Sequence, residues 1–148
     1  MTIPDALAAL YASVSFPPGG RPDWERMVAL FHGGGRLIPM RREAGQPAAV
    51  LDVAGFRARF EAADARLNLS AKGFHETERA RTVQVYGTIA QVFSVYESRH
   101  TKDDPEPWDR GVNSIQLVNE GGGWKVLTVL WDCESNGAGP VPGLGNGG

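Results

Sequence analysis

The sequence predicts an α+β domain in which three helices cover one face of a curved, mostly antiparallel sheet. Three observations carry that expectation. Apolar residues recur at helical spacing through the first half of the chain. From Leu67 onward the period changes to two, with Val, Ile, Thr and aromatic residues dominating. Glu120-Gly121-Gly122-Gly123 then separates two such runs as a tight hairpin turn.

Thr2 is placed to cap the first helix, with Asp5 three residues on and Pro4 in the tolerated first turn. Leu7, Leu10, Tyr11 and Val14 form its apolar stripe, and Phe16-Pro17-Pro18-Gly19-Gly20 stops it. A second helix starts near Pro22, carries Trp24, Met27, Val28 and Phe31, and ends at Gly33-Gly34-Gly35, read as a C-cap where glycine takes φ > 0. A short strand over Arg36–Pro39 and a polar loop over Arg41–Pro47 follow. Asp52 caps a third helix bearing Val53, Phe56, Phe60 and Ala63, with Gly55 costing it about 1 kcal/mol relative to alanine. Four strands are expected after it, at Leu67–Glu78, Thr82–Arg99, Arg110–Asn119 and Trp124–Cys133, with a polar loop over Thr101–Pro107. The domain spans 1–134. Residues 135–148, mostly Gly, Pro and Asn, are expected to form a flexible tail.

Composition narrows the function classes. The 148 residues carry 15 basic and 17 acidic side chains, so the net charge of −2 offers nucleic acid or an anionic membrane no electrostatic attraction. One cysteine, Cys133, excludes an intramolecular disulfide and any multi-cysteine metal site. No apolar run reaches the roughly 20 residues of a membrane helix, and the first ten residues lack a signal-peptide pattern. The expected location is cytoplasmic. Phosphate-loop, dinucleotide-binding and nucleophile-elbow patterns are absent, and His32, His75 and His100 have no metal-ligand spacing. No cofactor and no metal are expected.

The order helix-helix-strand-helix and then four strands resembles the nuclear transport factor 2-like superfamily, which includes SnoaL-like polyketide cyclases, ketosteroid isomerases and scytalone dehydratases. The local marks are Leu30-Phe31-His32-Gly33-Gly34-Gly35-Arg36-Leu37, Tyr86-Gly87-Thr88-Ile89-Ala90, and Gly123-Trp124-Lys125-Val126 followed by Trp131-Asp132. They cover roughly Ala6 to Glu134. The resemblance implies a strongly curved cystatin-like cone, a small-molecule pocket under the helices and a homodimer across the sheet. It places Tyr11 where ketosteroid isomerases carry the tyrosine that stabilises an enolate oxygen. Pro39 stands where that family has its catalytic aspartate, and Ser114 where it has a second aspartic acid, so that family's general base is missing. Ser114-x-Gln116 resembles the serine–amide pair of scytalone dehydratases. Trp131 resembles a pocket-wall tryptophan of ketosteroid isomerases.

Strand parity supplies the remaining candidates. Leu67, Leu69, Ala71, Gly73 and His75 share the more apolar face, which turns His75 inward as a proton-transfer group and Phe74 and Glu76 outward. Leu127, Val129 and Trp131 form the inward face of the last strand. The resemblance to ketosteroid isomerases, counted across the Gly121–Gly123 turn, puts Ser114 opposite Trp131 with Val112 and Gln116 on the same face. A one-residue slip would instead turn Asn113 and Ile115 inward. In Thr82–Arg99, either Tyr96 and Ser98 or Glu97 and Arg99 face inward. Asp132 ends the last strand near them, and Trp24 is a second aromatic wall. The expected activity is cofactor-independent isomerisation, dehydration or cyclisation of a small apolar carbonyl or hydroxyl compound. His75, Tyr11, Ser114, Gln116 and Asp132 are its expected chemical groups, with Trp24, Tyr96, Arg99, Asn113 and Trp131 around the ligand. The alternative is a non-catalytic ligand-binding or dimeric adaptor module. The dimer is expected through the sheet face carrying Tyr86, Thr88, Ala90, Val92 and Ser94, too apolar for water if the other face fills the core.

Overall fold

The computed structural model describes residues 1–40 and 43–143. Helices α1 (Ile3–Val14) and α2 (Trp24–Leu30) lead into β1 (Phe31–Pro39); α3 (Val53–Leu67) and the single turn α4 (Leu69–Lys72) follow. The rest is β2 (His75–Tyr86), β3 (Ile89–Arg99), β4 (Asp109–Asn119) and β5 (Trp124–Cys133). The strands form one sheet in the order β1-β5-β4-β3-β2, antiparallel except for the parallel pair β1–β5. This is the expected α+β architecture, but the sheet is open rather than strongly curved into a cone, with β1 and β2 as its edges.

The caps expected at Thr2 and Asp52 form, and Asp23 adds a third. Thr2 Oγ1 accepts from Asp5 N at 3.2 Å, Asp23 Oδ1 from Arg26 N at 3.1 Å and Asp52 Oδ1 from Gly55 N at 2.7 Å, each satisfying an orphan amide of its helix. Leu7, Leu10 and Tyr11 are buried on the inner side of α1, with Met27 and Leu30 of α2 against them, while Val28 faces water. The sheet contributes Ala90, Val92, Ile115, Leu117, Val126 and Val129 to the same core.

Three element boundaries differ from the sequence reading. Gly33-Gly34-Gly35 do not cap α2 but run within β1, none of them at positive φ. Gly35 is needed there for space, since a Cβ would stand 2.8 Å from the His32 carbonyl oxygen. Leu67 and Leu69–Lys72 are helical, with Asn68 between them at φ 56°, so β2 starts only at His75. The single strand expected over Thr82–Arg99 is instead the end of β2 and all of β3, joined at Gly87-Thr88, where Gly87 takes φ 58°. Arg79–Arg81, left between the two expected strands, is continuous with β2. It belongs to an edge strand, whose ion pairs Arg79–Glu97 and Arg81–Glu78 keep those charges solvated or matched.

The face proposed for dimerisation is also reassigned, because Ala90, Val92 and Ser94 are buried under the helices. The outward side of β3 is Ile89, Gln91 and Phe93. Beyond β5 the chain makes a short 3-10 turn over Glu134–Asn136. Ser135 Oγ donates to Asp109 at 2.6 Å and Asn136 Nδ2 to Asp132 at 2.9 Å, so the folded unit reaches at least to Asn136. The expected loop positions Arg41 and Arg42, and tail positions 144–148, lie outside the described residues.

Candidate functional site

Between α1, α3 and the inner face of the sheet lies a cavity of about 180 Å³. Its walls are apolar, with Phe56 and Phe60 from α3, Phe74 ahead of β2 and Val129 and Trp131 from β5. Trp131 meets Phe56 edge-on at 5.9 Å, and Trp24 packs behind this wall at 6.1 Å from Phe56 and 5.7 Å from Phe60. One end is polar, formed by Tyr11, Glu76 and Asn113.

Local structure puts Glu76 there. Ser15, the C-cap of α1, accepts from Glu76 N at 3.1 Å and donates to the Tyr11 carbonyl at 2.7 Å. Phe16 and Phe74 exchange backbone hydrogen bonds of 2.7 and 3.0 Å. The end of α1 is thereby stitched to the start of β2, and strand alternation carries Phe74 and Glu76 to one face and His75 to the other.

Asn113 Nδ2 donates to Glu76 Oε1 at 2.9 Å and to Tyr11 Oη at 3.1 Å. Tyr11 Oη lies 2.6 Å from Ser94 Oγ, and Ser94 in turn donates to Glu78 Oε2. Glu78 is held by Arg81 at 3.3 Å. Burial pushes the Glu76 carboxyl up to about 7 from an ordinary 4.5, against the opposing pull of the Asn113 hydrogen bond. Burial, reinforced by the nearby Glu76 charge, raises the Tyr11 phenol too, so it stays protonated across the physiological range. A carboxyl poised near neutrality at the end of an apolar cavity is suited to taking or giving a proton.

The candidates named from the sequence divide. Tyr11, Asn113 and Trp131 line the cavity. Tyr96 is buried on the same inner face of β3, with Ser98, and its phenol is raised by burial and then by Glu76. Trp24 belongs to the supporting aromatic layer. His75 is corrected: it pairs in register with Arg99 and lies on the face opposite Glu76. Its inward assignment counted parity from Leu67, Leu69 and Ala71 as strand residues, whereas those residues are helical or at a helix end.

Ser114 and Gln116 are corrected as well, since both line a groove on the outer face with Phe93 and Leu130. Thr128 donates to Gln116 Oε1 at 3.2 Å there. A bulge puts Leu127 between the pairs Leu117↔Val126 and Gln116↔Thr128. That extra residue flips parity, so Trp131 stands opposite Asn113 rather than sharing a face with Ser114. Arg99 faces away from the cavity, bonding Glu97 at 3.0 Å and the Asp104 carbonyl at 2.9 Å. Asp132 likewise serves structure, accepting from Cys133 N and Asn136 Nδ2 at 2.9 Å.

Sequence reasoning turned Glu76 outward, put Ser94 on the outer sheet face and passed over Glu78. The signal available was the spacing Phe74-x-Glu76-x-Glu78, one face of a strand once its start is set at His75. Among the described residues no group of three or more His, Cys, Asp or Glu is placed to hold a metal ion, and no helix is long and apolar enough to cross a membrane.

This architecture is the cystatin-like fold of NTF2-like proteins. A protein of unknown function with a cystatin-like fold from Nostoc punctiforme is similar at TM-score 0.66 and 17% identity, covering 88% of this chain and 87% of that one. A protein from Kribbella flavida matches at TM-score 0.64 and 12% identity, over 88% and 87%. An NTF2-like protein of unknown function from Shewanella baltica matches at 0.57 and 12%, over 88% and 90%. No protein-family model and no curated protein matches the sequence. At these identities the likeness is one of fold, and the cavity's own residues must carry the functional argument.

Proposed function

We propose that this chain binds a small, largely apolar compound in the cavity under α1 and α3 and that Glu76 exchanges a proton with it. The observation that carries this reading is the Glu76 carboxyl, set at the polar end of aromatic walls and raised to about 7. The chemistry it suits is cofactor-independent isomerisation, dehydration or cyclisation of a carbonyl or hydroxyl compound. Glu76 replaces His75 as acid or base, Tyr11 and Asn113 hold its surroundings, and Phe56 and Trp131 position the apolar body. Mass spectrometry of compounds co-purifying with the native protein, repeated with Glu76→Gln, tests the reading. A bound apolar compound retained by both proteins but converted only by the native one supports it. An empty cavity in both, with no uptake of added apolar compounds, contradicts it.

A second reading, a non-catalytic ligand-binding or dimeric adaptor module, is favoured by the outer sheet face. Tyr86, Ile89, Phe93 and Leu130 are exposed there, an apolar surface suited to a second copy of the chain. Binding without turnover would favour that reading.

A further inference from the structure

The direction of each hydrogen bond at the polar end of the cavity follows from counting hydrogens. Ser94 has one, and it goes to Glu78, whose charge is matched by Arg81. The 2.6 Å contact between Tyr11 and Ser94 must then be the phenol donating to the serine. Both amide hydrogens of Asn113 are committed, one to Tyr11 Oη and one to Glu76 Oε1. The chain therefore runs one way, from Asn113 through Tyr11 and Ser94 to Glu78. Every side-chain hydrogen of Tyr11, Ser94 and Asn113 is spoken for.

With Glu76 ionised, what stays open at this polar end is two acceptors. Within the described residues no hydrogen bond engages Glu76 Oε2 or Asn113 Oδ1, while no buried side-chain N or O atom is left unpaired. These two oxygens are accordingly open to the cavity. A ketone oxygen arriving beside them would face lone pairs, whereas a hydroxyl or amino hydrogen would complete a bond. A site built around one polarity rejects the opposite one, because the mismatched groups are all left unsatisfied on binding.

We propose that the cavity selects a compact apolar molecule whose polar end is a hydrogen-bond donor, a hydroxyl or amino group, over the corresponding ketone. The volume of about 180 Å³ fits one six-membered ring with a short substituent, since a cavity of roughly 150 Å³ holds benzene. This inference rests on the cavity being a ligand site and narrows that reading to the hydroxyl side of the carbonyl-or-hydroxyl class. Tyr11 becomes a positioning residue here, since its hydrogen is turned to Ser94 and away from the ligand.

The test is isothermal calorimetry at pH 8.5, where Glu76 is mostly ionised, with four probes on one carbon skeleton: ethylbenzene, acetophenone, 1-phenylethanol and 1-phenylethylamine. The alcohol and the amine should bind at least about tenfold more tightly than the ketone, the scale of one satisfied hydrogen bond to a charged group. Glu76→Gln turns the open acceptor into an amide donor, so the ketone should gain on the alcohol and the ratio should fall to about one or invert. Ser114→Ala, in the groove on the opposite face of the sheet, should leave the native order unchanged. Ketone binding equal to or tighter than alcohol binding in the native protein overturns this inference while leaving the ligand site intact. An unchanged order in Glu76→Gln, with fold verified by circular dichroism, overturns it too. If none of the four binds, ethylbenzene included, the ligand-site reading falls and this inference with it.

Discussion

Replacing Glu76 by glutamine should change how stability depends on pH, and the size of the change follows from the site. Glu76 titrates near 7 when folded and near 4.5 when unfolded, so between those values the native state binds more protons than the unfolded one. Stability contributed by the neutral carboxyl is fully present below about pH 4.5 and is lost as pH rises through about 7. At about 1.4 kcal/mol per pH unit the loss approaches about 3 kcal/mol by pH 8. Glutamine keeps the shape and the acceptor for Asn113 but does not ionise. Urea unfolding of both proteins between pH 4 and 8.5 should show Glu76→Gln gaining on the native protein by about 3 kcal/mol across that range. The gain should fall mostly between pH 5 and 7.5. A difference that stays flat with pH would refute the reasoning, because Glu76 would then titrate alike folded and unfolded. Reversal of sign would place the carboxylate beside a positive charge that the described residues do not supply at the site.

Tyr11→Phe removes the link between Asn113 and Ser94 and should cost about 1–3 kcal/mol in urea unfolding, the penalty of stranding buried polar partners. Gly111→Ala places a methyl against the Tyr96 phenol and 2.5 Å from the Asp132 carbonyl oxygen, and should destabilise by about 1–3 kcal/mol in the same assay. His75→Gln, on the sheet face away from the cavity, should change probe affinity by less than about twofold in calorimetry, below the tenfold that one lost charged hydrogen bond would give. Light scattering at micromolar concentration should give a dimeric mass, and Phe93→Lys, exposed on the outer face, should shift it toward the monomer.

The legible part of this molecule is the part set by local periodicity. Thr2 and Asp52 sit at the helix starts because a side-chain oxygen there meets free amides. Tyr11 stood on the α1 stripe and Trp131 on the bulky β5 face, and the ketosteroid isomerase resemblance singled both out as site residues. Parity failed wherever one residue was gained or lost. The Leu127 bulge reverses the β4–β5 faces, and the helical turn over Leu69–Lys72 removes the residues from which the β2 faces were counted. Nothing local announces either feature, since a bulge is held by the neighbouring strand and a four-residue helix by its packing. Glu76 was therefore placed outside and His75 inside, each one position from its proper role.

The most direct test of the account is to locate a bound probe by NMR. Side-chain resonances should be followed while 1-phenylethanol is titrated into the native protein. The account predicts the largest shifts at Tyr11, Asn113, Val129 and Trp131, the residues around Glu76 on the inner face. Shifts confined to Phe93, Ser114, Gln116 and Leu130 would place the ligand in the groove on the opposite face of the sheet and contradict it.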